Sequence, residues 1–257
     1  MKILVTGATD GIGMETARML TEEGHEVLLH GRSEEKLANA AREIGNENAG
    51  KYVVDLSQMA DVRSFAEAVK EKHEHLDVLI NNAGVYNAPS EKTEDGLDIR
   101  FAVNTIAPYI LTSALLPIMD ESSRIVNVSS AAQKPVDAKA LSGEAELQDG
   151  EAYAQSKLAL TMWTMELSHR IDPVIVAVNP KSLLGSKMVK KAFGVEGGDI
   201  TIGADILYRA ALSDTFADAS GTYFDNDRGD FGDPHSDALD RDKRARLLEQ
   251  IDTMIGT

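Results

Sequence analysis

The chain has 257 residues, with 26 Lys and Arg against 42 Asp and Glu, a net charge of −16, and no cysteine. At about 150 residues per domain, the length admits one large α/β domain as readily as two small ones. The missing cysteine excludes disulfides, thiolate nucleophiles, iron–sulfur clusters and Cys-ligated zinc, and the acidic excess opposes nucleic-acid and anionic lipid partners.

Short Val/Ile/Leu-rich runs alternate with longer amphipathic stretches, the pattern of βαβ units. Strands are expected at 2–5, 26–30, 52–54, 77–80, 124–128, 174–178 and 221–224. Their lack of polar alternation indicates strands covered on both faces. Helices are expected at 13–23, 34–44, 59–72, 96–119, 151–170 and 203–213, with a last one near 239–255. No linker or repeat divides the chain, so residues 1–257 read as one domain: a doubly wound parallel α/β sheet of about seven strands. No uninterrupted apolar run approaches the roughly 18 residues of a membrane span. The apolar stretch after Met1 and Lys2 is too short for a signal peptide, so a cytoplasmic protein is the expectation.

Two segments, 133–150 and 181–198, have no clear periodicity and are expected to face a substrate. In the first, Val136, Leu141 and Leu147 are too sparse for a core of their own, so a lid over the pocket is expected. The segment 225–242 carries seven Asp and two Arg and reads as a solvated, turn-rich stretch. His73, Glu74 and His75 sit in a charged helix end without a third ligand, so no metal site is expected. Met162, Trp163 and Met165 read as core packing.

Directly after the first strand comes Thr6-Gly7-Ala8-Thr9-Asp10-Gly11-Ile12-Gly13. A strand, a Gly-rich turn and a helix in that order aim backbone N–H groups and a helix N-terminus at a pyrophosphate. Arg32 lies 19 residues beyond Gly13, followed by Ser33, with no acidic residue before Glu34. An acid at that position would suit the adenosine ribose of NAD. A guanidinium and a hydroxyl suit a 2′-phosphate instead, so NADP is expected over NAD, with Asp10 adding opposing charge nearby.

Three further patterns follow in chain order. Asn81-Asn82-Ala83-Gly84 ends the fourth strand, where small residues would admit a cofactor and Asn would bridge strands. Asn104 stands mid-helix, a poor position that needs a reason. Ser129-Ser130 ends the fifth strand at the carboxyl edge of the sheet, and Tyr153 and Lys157 are four apart on one helix face. A free Tyr has a pKa near 10, and a nearby ammonium favours the phenolate.

Taken in order, these motifs resemble the short-chain dehydrogenase/reductase family across essentially the whole chain. The resemblance implies a Rossmann fold and a catalytic tetrad of Asn104, Ser130, Tyr153 and Lys157, with Ser130 preferred to Ser129. It also implies that Asp55 and Leu56 contact the adenine. The cofactor set is then Gly7, Thr9, Asp10, Gly11, Ile12, Gly13, Arg32, Ser33, Asp55, Leu56, Asn82, Ala83, Gly84, Tyr153, Lys157 and Pro180. Residues 153–160, residues 220–224 and the 23-residue separation of Ser130 from Tyr153 look like the retinol-dehydrogenase-like and carbonyl-reductase-like branch. The sequence departs from the family at Pro180-Lys181, where Pro-Gly is usual.

The resemblance implies hydride transfer between NADP(H) and a small carbonyl or alcohol. In that mechanism Tyr153 is the proton donor, Ser130 holds the substrate oxygen, Lys157 acts on the Tyr and the nicotinamide ribose, and Asn104 holds a water. A catalytically idle NADP-binding redox sensor is the alternative, and it would be expected to lose Tyr153 or Lys157. A sugar-nucleotide epimerase would want a longer C-terminal region. The sequence leaves oligomeric state open.

Overall fold

The computed structural model describes residues 1–88 and 91–256. Its centre is an eight-stranded sheet in the order β3-β2-β1-β4-β5-β6-β7-β8. The strands are β1 (Lys2–Val5), β2 (Glu26–Gly31), β3 (Lys51–Val53), β4 (Val78–Asn81), β5 (Arg124–Val128), β6 (Val174–Asn179), β7 (Tyr223–Asp225) and β8 (Asp230–Phe231). All neighbours are parallel except β7 and β8, which pair antiparallel. The expected seven strands are all present within one or two residues. The eighth was not foreseen, because two residues inside an acidic turn carry no periodicity.

Val5 pairs with Leu29 of β2 on one side and with Ile80 of β4 on the other. The chain therefore leaves β1 in one direction and later returns to its other side. That reversal opens a crevice at the carboxyl ends of β1 and β4, where open α/β sheets bind ligands.

The helices are α1 (Gly11–Glu22), α2 (Glu34–Glu43), α3 (Met59–Lys72), α4 (Ile99–Phe101), α5 (Ala107–Leu115), α6 (Ala138–Leu141), α7 (Asp149–Leu167), α8 (Lys187–Phe193), α9 (Thr201–Leu212), α10 (Ser236–Leu239) and α11 (Arg241–Ile255). Successive strand residues point to opposite faces, so Leu4 enters one core while Ile3 and Val5 enter the other. The first core packs α3, α5, α7 and α11 on one face of the sheet. The second packs α1, α2 and α9 on the opposite face, with Phe216 and Phe224 at its β7 end.

The single helix expected over 96–119 is instead three pieces: α4, a π-helical turn at Ala102–Ile106, and α5 ending in a 3₁₀ turn at Leu116–Ile118. The run Ile99–Ile118 has the length and hydropathy of a membrane-crossing helix, although no uninterrupted apolar stretch was evident in the sequence. Within the fold it is 72% buried, as a core helix is.

The lid expected in 133–150 is not what forms. Leu141 is fully buried in the first core, and Val136 and Leu147 pack against it. The Gln250 amide on α11 donates to the Ala138 carbonyl at 2.7 Å, tying α6 to the C-terminal helix. These apolar residues are sparse because they join the main core rather than building their own. The 225–242 segment is likewise more ordered than expected, since it contributes β8, α10 and the fully buried Ala238.

Candidate active site

The Gly-rich turn is fixed from three sides. The Thr6 hydroxyl accepts from the N–H groups of Asn82 and Ala83, both at 3.0 Å. The Asn82 amide donates to the Thr6 carbonyl at 2.9 Å and to the Gly7 carbonyl at 3.2 Å, stitching β1 to β4. His30 accepts from the Gly7 N–H at 3.1 Å through Nδ1, and its Nε2 lies 3.1 Å from the Val54 carbonyl. That pair of contacts requires the neutral ring with its proton on Nε2. Nothing in the sequence motif pointed to Thr6 or His30 as supports of the turn.

Burial pushes the His30 pKa down to about 4, although its bond to Val54 opposes this. The unfolded chain protonates this residue near 6.5, so the unfolded state gains a proton that the fold refuses. The His30 contribution is therefore intact above pH 6.5 and is lost as the pH falls toward 4. Urea midpoints measured at pH 7 and pH 5 should show this loss in the wild type, at up to about 1.4 kcal/mol per pH unit. The loss should shrink in a His30→Asn variant, and equal losses would show that His30 does not titrate with folding.

Two glycines leave room that no other residue would. A Cβ on Gly13 would lie 2.2 Å from the Asn82 amide nitrogen and 2.4 Å from the Gly7 carbonyl. Gly7 has φ +67, and a Cβ there would lie 2.9 Å from the Ala83 Cα. The turn thus presents bare backbone to the crevice, with α1 starting behind it. Asp10 caps that helix by accepting from the Gly11 N–H at 2.9 Å, and it pairs with Lys187 of α8 at 2.6 Å. The opposing charge expected from Asp10 is therefore met by a lysine.

One cavity of 890 Å³ runs from this turn to the catalytic candidates. Of the expected cofactor residues, all except Ser33 line it. Ser33 is the N-cap of α2, accepting from the Lys36 N–H at 3.4 Å. Lys36 and Asn39, one helical turn further on, line the cavity beside Arg32. The i, i+3 spacing of Ser33 and Lys36 was a visible signal for this second cation.

At the other end, Ser130, Tyr153 and Lys157 line the same cavity. Thirteen of the 19 residues of α7 are buried, so Tyr153 and Lys157 stand on a helix packed around most of its circumference. Both serines line the cavity, but the Ser129 hydroxyl is engaged inward, 2.7 Å from that of Thr161, which leaves the Ser130 hydroxyl as the one beside Tyr153. The Lys157 ammonium donates to the Val128 carbonyl at 2.6 Å and lies 5.8 Å from the Tyr153 ring centre. Burial lowers the Lys157 pKa to about 8. Burial raises that of Tyr153; the Ser130 hydroxyl opposes the rise, and Tyr86 adds to it. The lowering expected from the lysine does not outweigh the effect of burial here.

Asn104 does not line the cavity. It lies in the π turn, which gives this mid-helix asparagine its reason. Its carboxamide oxygen accepts from the Val85 N–H at 2.8 Å. Its nitrogen donates to the Val85 carbonyl at 2.9 Å and to the Ser156 hydroxyl at 3.0 Å. Asn104 therefore fixes the chain after β4 against α7. The adjacent Tyr86 was not anticipated, yet its ring stands 5.0 Å from that of Tyr153 and lines the cavity. Asn81 bridges strands as expected, donating to Asn127 at 2.8 Å.

The start of α7 is anchored by a buried arginine. Arg100 makes two bonds to Asp98, at 2.8 and 2.6 Å, and a third to Asp149, the first residue of α7. Asn87 donates to the same Asp149. No group of His, Cys, Asp or Glu suited to a metal occurs among the described residues.

A family model for the short chain dehydrogenases matches residues 1–193. Human retinol dehydrogenase 13 is 32% identical over 99% of this chain and 84% of its own length. A structure of an uncharacterized protein from Mycobacterium paratuberculosis aligns over all of this chain and 93% of its own, with TM-score 0.82 and 28% identity. A Shigella flexneri short chain dehydrogenase solved with NADP covers 88% of this chain and 96% of its own, with TM-score 0.69 and 28% identity. With a Gly-rich turn, a serine and a Tyr/Lys helix around one crevice, this chain belongs to the short-chain dehydrogenase/reductase family, in its retinol-dehydrogenase-like branch.

Proposed function

We propose that the protein is an NADP(H)-dependent oxidoreductase that interconverts a carbonyl compound and its alcohol. The observation that carries this reading is the placement of Ser130, Tyr153 and Lys157 in the same cavity as the bare Gly-rich turn and Arg32. The residues present fit a dinucleotide. Gly7 and Gly13 leave a cradle that a Cβ would fill, and Arg32 and Lys36 stand at the end where a 2′-phosphate would lie. A bound nicotinamide dinucleotide supplies or accepts the hydride. The name of the human relative and the NADP in the Shigella structure support the same reading.

In the reducing direction, Tyr153 donates its phenolic proton to the carbonyl oxygen, and Ser130 holds that oxygen by a hydrogen bond. A phenol held protonated by burial is suited to the role of acid. Lys157, turned from Val128 toward a ribose hydroxyl, would place its charge nearer the phenolate and favour the return of the proton. Asn104 acts by position: its amide is engaged with Val85 and Ser156, so it fixes the chain after β4 against the helix that carries Tyr153 and Lys157.

Cofactor choice is tested at Arg32. A hydrogen bond to a charged group contributes roughly 1.5–3 kcal/mol. Arg32→Ala should therefore weaken NADPH by about one to two orders of magnitude and NADH far less. Calorimetric titration of both cofactors decides it. Equal losses would mean that Arg32 does not meet the phosphate.

A further inference from the structure

The end of β6 and the turn after it, Asn179-Pro180-Lys181-Ser182, line the same cavity as the serine and tyrosine. Lys181 occupies φ +115 and Leu183 φ +52, the only non-glycine residues at positive φ among those described. Such a conformation strains a residue with a side chain, and it persists only where the surroundings enforce it. Glycine would adopt it freely.

The surroundings that enforce it come from the turn after β7, in the acidic segment. The Asp227 carboxylate accepts from the Ser182 N–H at 3.0 Å, from the Ser182 hydroxyl at 2.5 Å and from the Asn179 amide at 2.9 Å. These contacts bracket Lys181 on both sides. Asn226 holds the intervening residue, donating to the Pro180 carbonyl at 3.0 Å. The Asn179 amide also reaches Asp225 at 2.8 Å, and its oxygen accepts from the Lys181 N–H at 3.4 Å. The Lys181 charge further favours the Asp227 carboxylate.

We propose that Asp227 is a positioning residue: it clamps Asn179 and Ser182 so that Lys181 keeps a backbone shape suited to glycine, and it thereby sets one wall of the cleft. The expected effect on cofactor affinity rests on the proposed dinucleotide site; the clamp itself does not. Asp227 does not line the cavity. Its influence passes through the backbone of residues 179–182, so a lysine at 181 and an aspartate at 227 are linked features of this chain.

The test compares four proteins: wild type, Asp227→Ala, Lys181→Gly and the double variant, with Asp227→Asn as a milder form should the alanine variant fold poorly. Amide hydrogen exchange over residues 181–184 is read first, in protein without added nucleotide. Asp227→Ala should speed exchange there by about tenfold or more and leave α7 protected. NADPH titration should then show about tenfold weaker binding for Asp227→Ala, little change for Lys181→Gly, and a clearly smaller loss when Asp227→Ala is made on top of Lys181→Gly. Unchanged exchange in Asp227→Ala and Asp227→Asn overturns the clamp. So does an identical loss of affinity whether Asp227→Ala is made in the wild type or in the Lys181→Gly variant. If no variant, wild type included, binds NADPH, the functional reading fails, and the exchange contrast still decides the clamp.

Discussion

Tyr153→Phe should lower kcat by roughly 10²–10⁴-fold while leaving NADPH affinity nearly unchanged. The expectation follows from where the phenol sits. Its ring is held against Tyr86 on a helix that the core surrounds, so phenylalanine keeps the packing and removes only the oxygen facing Ser130. General-acid catalysis by a positioned side chain accounts for a loss of that size, because water must then deliver the proton. Lys157→Ala should behave differently, since it removes a charge that the proposed mechanism also uses to hold the ribose, and both kcat and NADPH affinity should suffer. Turnover assays on a ketone and aldehyde panel, with cofactor binding measured separately, check the pair. A phenylalanine variant with near wild-type kcat would show that another group protonates the substrate.

Arg100→Met should cost about 3–5 kcal/mol of stability, the usual consequence of removing one member of a buried ion pair. The side chain is 1% exposed, and Asp98 would be left with its carboxylate buried and its partner gone. At about 2–4 °C per kcal/mol for a chain of this size, Tm should fall by roughly 6–20 °C. Arg100→Lys should lose less, because it keeps the charge but not the planar fork that meets both Asp98 oxygens. Asp149→Asn provides the complementary measurement: its side chain is 37% exposed, so its stability cost should be smaller. It should still lower activity, since Asp149 ties the start of α7 to Asn87 beside Tyr86. Calorimetric melting of the three variants tests the ranking.

Much of this architecture was legible because strands buried on both faces write themselves as uninterrupted Val, Ile and Leu runs. β1 and β5 match the expected bounds, and α3 matches at both ends. The Gly-rich turn, Asn82 and the Tyr153/Lys157 pair were readable because each is a residue type whose chemistry suits a particular place on the strand–turn–helix frame, whereas Ser130 was chosen over Ser129 on the family resemblance alone. What escaped was set by tertiary contact. Leu141 has no local signal that distinguishes a lid from a plug in the core, and β8 is too short for any period. Asp227 stands 45 residues from the loop that it holds, within a run of aspartates that reads as solvated. Ser33 was expected at the phosphate end and instead caps α2, whereas Lys36, which went unread, lines the cavity beside Arg32.

The last strand leaves the sheet with a border that resists edge-to-edge pairing. β8 offers only two residues, flanked by Gly229 and Gly232, and its Phe231 turns inward to meet Phe216 and Phe224 at 5.2 and 5.1 Å. Asp230 remains exposed beside it. An incoming strand would find too few free backbone groups to form a ladder, with a carboxylate at the first position. The opposite border, β3, is three residues long and begins at the exposed Lys51. Short, charged borders of this kind deny a neighbouring chain a template. Aggregation on heating should therefore begin from unfolded chains rather than from edge-to-edge stacking of native ones.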